Sequence, residues 1–419
     1  LSEATEALER AYRDEWTTLV AVLAGQLGGD VGLAEETVAD AFAAAVVEWP
    51  ARGVPARPGA WLTTVARRRA IDRLRREATR SAALDRLETL MRDDDTTADA
   101  PEPPDRSGID DDRLRLLFTC CHPALALEAR VALTLRVVAG LEVAGVARAL
   151  LTAETTMYQR LGRAKKKIKA ARIPYRVPAA PELSDRVHGV LHVIHLVYNE
   201  GHVASAGDDL VRVDLCREAL RLGRLVAELL RDDAEALGLL AFLLLTDARR
   251  AARTDAEGVP VSLEDQDRGR WDAELIAEGT EVLGRALGHR SPGQFQVQAA
   301  IAALHAEAPH WDATDWPQIA ALYGELARLV PSPVVTINRA AAVAMADGPH
   351  VGLAVLDGLV VDDRLERYQP LHATRAELLA RAGDHDGAAA AYRRAIELTE
   401  NAAERTALEA RSRRGGTGR

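Results

Sequence analysis

The sequence predicts an all-α protein: two small helical modules followed by a longer helical array. Three observations predict it. The 419 residues are 48% hydrophobic but only 4% aromatic, with alanine and leucine dominant, which suits close helix–helix packing better than a β-sandwich core. Apolar residues recur at helical spacing along most of the chain, interrupted by stretches bearing Pro, Gly and Asp. The formal net charge is −10, from 53 Lys+Arg against 63 Asp+Glu, yet two short runs are densely cationic. A chain this acidic is not a general polyanion binder, so any contact with nucleic acid must come from those local patches.

The first module is expected over 1–91. Residues 1–50 are helical in period and acidic, with Val38, Ala41, Phe42 and Ala45 as the apolar side of one helix that also carries Glu35, Glu36, Asp40 and Glu48. ARGVPARPGA (51–60) reads as a Pro/Gly loop. WLTTVARRRAIDRLRRE (61–77) follows as a helix. At roughly 100° per residue, Ala66, Ala70, Ile71 and Leu74 share one arc, and Arg68, Arg69, Arg73, Arg75 and Arg76 fall on the other side. Asp72, three or four residues from Arg68, Arg69, Arg75 and Arg76, is placed to hold their guanidinium groups. Such a face is either solvated or a phosphate-contacting surface, since arginine clusters neutralise phosphates.

Residues 92–112 (RDDDTTADAPEPPDRSGIDDD) are acidic and proline-bearing, and read as a flexible linker. The second module is expected over 113–172. Within it LEVAGVARALLTAETTMYQRLGRAKKKIKAA (141–171) reads as helix, turn, helix. Val143, Ala147 and Leu150 give the first helix its buried side, and Thr152 is an N-cap candidate for the second. Met157, Leu161, Ala164 and Ile168 form a narrow apolar seam. The opposite face carries Thr155, Thr156, Gln159, Arg160, Arg163 and Lys166: side chains able to hydrogen-bond base edges near the helix start, and cations for the DNA backbone further on. The alternative is an ordinary helical hairpin with a basic end.

IPYRVPAAPELS (173–184) is a second break, and 185–414 a series of amphipathic helices ending in a tail expected to be disordered over 415–419. INRAAAVAMADG ends at Gly348 and ATRAELLARAGD has its equivalent glycine at Gly383, each followed by another Ala-rich helix; this is close to the tetratricopeptide (TPR) period of about 34 residues. In LVYNEGHVASAGDD (196–209), Gly201 suits a left-handed helix C-cap, while Asn199 and Ser205 are able to hydrogen-bond nearby backbone; the stretch also has the polar character of a docking loop.

Other chemistry is weakly represented. Cys120, Cys121 and His122 are adjacent, unlike zinc-ligand spacing, and Cys216 lies far away. His188, His192 and His195 share a helix side with no carboxylate to complete a site, so no metal and no cofactor is expected. Neither a phosphate-binding loop nor a nucleophile motif is present, and no enzyme activity is expected. Three cysteines make no disulfide framework, and no apolar run or signal pattern marks a membrane or export route, so a cytoplasmic location is expected. The chain begins at Leu1 rather than Met, and its true start is expected upstream.

The order AEETVADAFAAAVVEW, RPGAWLTTVARRRAIDRLRRE, linker, helix-turn-helix resembles bacterial sigma factors of the extracytoplasmic-function (ECF) type. FTCCHPAL, YNEGHVASAG, LTDARRAARTDAEG, LEDQDRGRWD and QAAIAALHA resemble the ECF group with a large TPR-like C-terminal extension. The resemblance implies a factor that directs core RNA polymerase to promoters. Glu36, Asp40, Phe42 and Trp49 would meet the β′ clamp helices, although Ala39 stands where the family often has Gln. The arginine helix, with Arg52, Trp61 and Thr64, would lie on the −10 element, and the loop before it would take a flipped base. The second module would sit on the β flap and read the −35 element. Asn199, Glu200, Gly201 and Ser205 would form a regulatory loop, and the extension would take the place of a separate anti-sigma factor. A helix-turn-helix regulator working without polymerase and a TPR-type scaffold are the competing readings.

Overall fold

The computed structural model describes residues 3–77, 106–150, 152–359 and 363–416. These are helical almost throughout: the strands among them are a two-residue parallel pair, Ala206–Gly207 with Glu400–Asn401. The chain divides into two compact units, 1–194 and 195–419.

In the first unit, α1 (Glu3–Gln26), α2 (Val31–Arg52) and α3 (Pro58–Glu77) pack together. Asp30 caps α2 by accepting the Leu33 N–H at 3.2 Å. The last turn of α2 includes Pro50, and Gly53 closes it with its N–H on the Trp49 carbonyl at 2.9 Å. The helix therefore reaches into the stretch expected as a loop, leaving only 53–57 between helices. The expected apolar sides are the buried ones: Val38, Ala41, Phe42 and Ala45 on α2, and Ala66, Ala70, Ile71 and Leu74 on α3.

The same unit continues with α4 (Arg106–Cys120), α5 (Leu127–Leu133), a π-turn (Thr134–Val138), α6 (Val143–Ala149), α7 (Glu154–Ala170) and the first part of α8 (Ala180–His202). Residues 78–105, and with them the end of the first module and most of the expected linker, lie outside the described residues. The rest of that linker is the start of α4; the Asp112 carboxylate pairs with Arg115 at 2.9 Å and its carbonyl accepts from Tyr175 at 3.2 Å, so local and tertiary bonds override the acidic composition. α7 buries the expected seam, Met157, Leu161, Ala164 and Ile168. Its N-cap is Ala153, with no side-chain hydrogen bond, rather than Thr152, whose N–H is turned back to the Ala147 carbonyl at 3.0 Å.

The second unit begins with the end of α8 and proceeds through α9 (Val213–Leu229), α10 (Ala234–Asp247), α11 (Ala273–Gly288), α12 (Gln294–Glu307), α13 (Trp316–Leu329), α14 (Pro333–Asp347), α15 (Pro349–Asp357), α16 (Asp363–Glu366), α17 (Gln369–Arg381), α18 (His385–Leu398) and α19 (Ala402–Gly416). α10 is apolar on nearly all sides because α9, α11 and α12 all pack against it; Leu237, Ala241, Leu244 and Leu245 meet Val282, Leu283, Ala299 and Ala303. The expected repeat appears as α14–α15 and α17–α18, with Gly348 (φ 101°) and Gly383 (φ 83°) at equivalent turns. α19 runs into the stretch expected as a disordered tail; 417–419 lie outside the described residues.

This unit also explains YNEGH. Gly201 is not a left-handed cap: it lies inside α8, where a Cβ would stand 2.7 Å from the Cys216 N and 2.9 Å from the Leu215 Cβ. Only glycine allows this close approach of α8 to the start of α9. The following loop is held by Asn401, 1% exposed, whose side-chain amide donates to the carbonyls of Ala204 (3.2 Å) and Asp209 (2.9 Å).

Histidine burial makes the second unit's stability pH-dependent. Burial, then Arg249 and Arg268, push His305 down to about 3, and burial with Arg253 and Arg249 pushes His202 well below its ordinary value. Between pH ~6.5, where an unfolded histidine titrates, and about 3, the unfolded chain binds the extra proton. Stability contributed by neutral His305 is therefore complete above the unfolded value and falls with decreasing pH, by at most about 1.4 kcal/mol per pH unit. Burial raises the carboxyl groups of Asp247 and Glu218, which acts in the opposite sense, so the test is a difference. Urea unfolding of His305→Gln should lose less stability between pH 7 and pH 5 than the native chain; equal losses would contradict the assignment.

Candidate nucleic-acid interface

The two cationic faces are built alike. Each helix buries one stripe and thereby turns the opposite stripe to solvent. On α3, Arg68, Arg69, Arg75, Arg76 and Thr64 are exposed, as is Arg52 at the end of α2. Trp61 is partly buried, edge-on to Trp49 at 5.8 Å between ring centres. Asp72 does not hold the arginines: its carbonyl accepts from Arg76 at 3.1 Å, and its carboxylate makes no ion pair among the described residues. Arg73 instead crosses to α2, pairing with Glu36 and with Asp40 at 2.7 Å. Arg73 therefore leaves α3 on the side that faces α2.

Two of the residues expected on the polymerase-binding surface are not on a surface. Phe42 and Trp49 are 5% and 2% exposed; Phe42 packs against Tyr12 and Trp16 at 4.9 and 5.9 Å. The outer face of α2 carries Glu36 and Asp40 together with Val46 and Val47, which are 56% and 72% exposed. Helical spacing already put Phe42 on the apolar side of α2, and it was the resemblance that set it on the polymerase-binding surface; the exposed Val46 and Val47 carry no polar signal that would mark them as outer positions.

On α7, Thr155, Thr156, Gln159, Arg163 and Lys166 are exposed and Arg160 is partly buried. Lys165 and Lys169, on the flank of the same helix, point to the first module. Lys165 Nζ lies 2.5 Å from Glu35 Oε2, and Lys169 Nζ 3.4 Å from Asp30. Glu35, with a side chain 5% exposed, also receives Arg136, whose guanidinium stands 5.3 Å from the Trp16 ring centre. The π-turn supplies the remaining bonds. Its Ala139 N–H reaches back to the Thr134 carbonyl, and the Val137 and Val138 carbonyls accept Trp16 Nε1 at 3.0 Å and Thr17 Oγ1 at 2.7 Å. Tyr175 adds a bond to the Ala21 carbonyl at 2.7 Å. The two modules are thus docked on each other through buried polar contacts that sequence reading missed. Glu35 was legible only as one more acid on an acidic helix.

The regulatory-loop residues sit in the second unit: Asn199 and Ser205 exposed, Gly201 buried, and Glu200 accepting from the Ser205 N–H and hydroxyl at 3.2 and 3.3 Å. The Cys-Cys-His run is structural. Burial raises both thiols, Cys121 to about 11, Cys121 Sγ lies 3.4 Å from Thr134 Oγ1, and His122 Nδ1 accepts the Ala124 N–H at 3.1 Å. Among the described residues no group of three or more His, Cys, Asp or Glu side chains is placed to hold a metal ion, and no helix is long and apolar enough to cross a membrane.

Residues 14–80 match Sigma-70 region 2, and 115–168 match Sigma-70, region 4. The chain belongs to the sigma-70 family. It is an RNA polymerase sigma factor of the ECF type, and families of this kind are not enzymes. Its domains imply interaction with core RNA polymerase and promoter DNA. Residues 186–287 of this sigma factor match a family of unknown function, DUF6596, which covers part of the extension. An uncharacterized protein, R00370, of Rhizobium meliloti (strain 1021) is 44% identical over 375 residues, spanning 90% of this chain and 88% of that one. The similarity to R00370 therefore includes the extension. No solved structure matches the chain.

Proposed function

We propose that α3, with Arg52, Trp61 and Thr64, engages the −10 element and that the exposed face of α7 reads the −35 element. The outer face of α2, with Glu36, Asp40, Val46 and Val47, meets the β′ clamp helices, and the region-4 domain sits on the β flap. The observation that carries this reading is the pair of helices, α3 and α7, each burying an apolar stripe and exposing a cationic one. Phosphate contacts position such a protein and base contacts specify the sequence. The two promoter elements are, by their names, about 25 base pairs apart, roughly 85 Å at 3.4 Å per pair. A compact unit of about 190 residues has a radius of gyration near 16 Å. The docked first unit therefore represents the sigma factor off the promoter, and core polymerase separates the two modules. The extension regulates that step and takes the place of a separate anti-sigma protein.

Run-off transcription with core polymerase tests the reading: specific initiation is expected only from a sigma factor. Because α8 runs through the boundary between the units, an informative truncation keeps this helix and removes 203–419. Its output, and that of Asn199→Ala with Glu200→Ala, is expected to shift in the same direction relative to the full chain. Unchanged transcription from a folded truncation would reject the regulatory role.

A further inference from the structure

Three stretches named in the sequence remain without work in promoter recognition: LTDARRAARTDAEG, LEDQDRGRWD and QAAIAALHA. All three converge in the second unit. The loop 262–265 and helices α12, α13, α14, α17, α18 and α19 bound a cavity of about 590 Å³, within the range of small-molecule sites. Its walls are aromatic: Trp311 and Trp316 meet edge to face at 4.7 Å, His305 stands edge-on to Trp316 at 5.3 Å, and Tyr323 lies beside them. The pairing of residues 206–207 with 400–401 ties the beginning of this unit to its end.

The charge around it is unbalanced. Arg249, Arg253 and Arg268 form no ion pair with a carboxylate among the described residues. Arg253 donates to the His202 carbonyl, Arg268 to the carbonyls of His305 (2.5 Å) and Ala308 (2.6 Å), and Arg249 and Arg268 lie over Trp271 at 5.8 and 4.5 Å. Asp247, whose field reaches Arg253, is already held by Arg250 at 2.9 Å. Arg249 and Arg268 both act on His305, and Arg249 acts on Tyr323, so their field reaches the cavity wall. His305 Nδ1 and Arg268 Nη2 are shielded from solvent and lack a hydrogen-bond partner. Cations partly withdrawn from water without counter-charge are costly unless an anion completes them. The acids on the lining are engaged elsewhere: Arg381 pairs with Glu264 and Glu377, and Asp265 accepts the Ser262 hydroxyl at 2.6 Å. These three carboxylates outnumber the lining's own Arg381 and Arg411, so it is behind His305 and Tyr323, on the Arg249 and Arg268 side, that positive charge is in excess. Arg411 adds a further cation on the lining with no ion pair among the described residues.

We propose that this cavity binds a small organic anion with a flat apolar body, its carboxylate, sulfonate or phosphate group facing the Arg249–Arg268 end and its body lying between Trp311, Trp316 and Tyr323. The site belongs to the extension alone and stands or falls apart from the promoter reading. The test uses the full chain and two fluorescent probes of similar shape: the aromatic anion 8-anilinonaphthalene-1-sulfonate and the uncharged N-phenyl-1-naphthylamine. The anion is expected to bind saturably at one site, at least tenfold tighter than the neutral probe, and to quench tryptophan emission. Arg249→Gln should weaken the anion at least tenfold and leave the neutral probe unchanged. Trp311→Leu should weaken both. Should Arg249→Gln fail to fold by circular dichroism, Arg411→Gln, on the cavity lining, is read in its place and should weaken the anion selectively. No saturable binding, equal affinity for the two probes, or anion binding that survives both Trp311→Leu and the folded arginine variant would overturn the proposal.

Discussion

Replacing Glu35 by Gln is expected to open the first unit. Glu35 lies on α2 with a side chain 5% exposed and answers two cations of the region-4 domain, Arg136 and Lys165, whose side chains are 13% and 21% exposed. Removing its charge leaves both facing a neutral amide in a dry contact. Breaking a buried pair of this kind costs about 3–5 kcal/mol. That cost falls on the docked form only, because separation returns Arg136 and Lys165 to water. The hydrogen bonds from Trp16, Thr17 and Tyr175 still oppose opening, so the expected result is a shifted equilibrium with α1–α3 intact. Small-angle scattering of Glu35→Gln should show a larger radius of gyration, and the free chain should bind promoter duplex at least tenfold tighter at fixed salt. If neither quantity moves in a chain of native helicity, the Glu35 pair does not hold the modules together. The native free chain is correspondingly expected to bind promoter DNA poorly without core polymerase.

Gln159→Ala and Arg163→Ala are expected to reduce −35 recognition by about 1–3 kcal/mol each where the contact is bidentate. Both side chains are exposed on α7, opposite Met157, Leu161, Ala164 and Ile168, so truncation leaves the seam unchanged. The effect should be confined to the −35 sequence, read by competing promoters that differ only there. Arg75→Ala and Arg76→Ala should behave differently. As phosphate contacts they should weaken holoenzyme binding to all promoters alike and reduce the salt slope by about 1 each. Promoter choice that is indifferent to Gln159 and Arg163 would mean the reading face lies elsewhere on the domain.

Helical period did most of the work that the sequence could do. The buried arcs of α2, α3 and α7 are the ones that spacing picked out, and the exposed cationic arcs followed from them. Local signals failed where a tertiary partner was stronger. Thr152 did not cap α7, Asp72 did not hold its neighbouring arginines, and Gly201 packs inside a helix instead of ending one. In each case a contact from another element, or a shift of one residue in the turn, outweighed a local preference worth only about 1 kcal/mol.

By itself the sequence determined the all-α class, the two cationic helices, the repeat marked by Gly348 and Gly383, and the family. These depend on periodicity and on short motifs, which are properties of neighbouring residues. The tertiary structure alone decided that Trp49 is core, that Glu35 joins Arg136 to Lys165, that Asn401 holds the loop 204–209, and that Leu263, Glu264 and Asp265 border one aromatic cavity with His305. Glu35 meets Lys165 across 130 residues, and Asn401 meets Ala204 across 197. Partners so far apart leave no local trace, because a buried acid or amide carries the same letter as an exposed one until the fold supplies what it bonds.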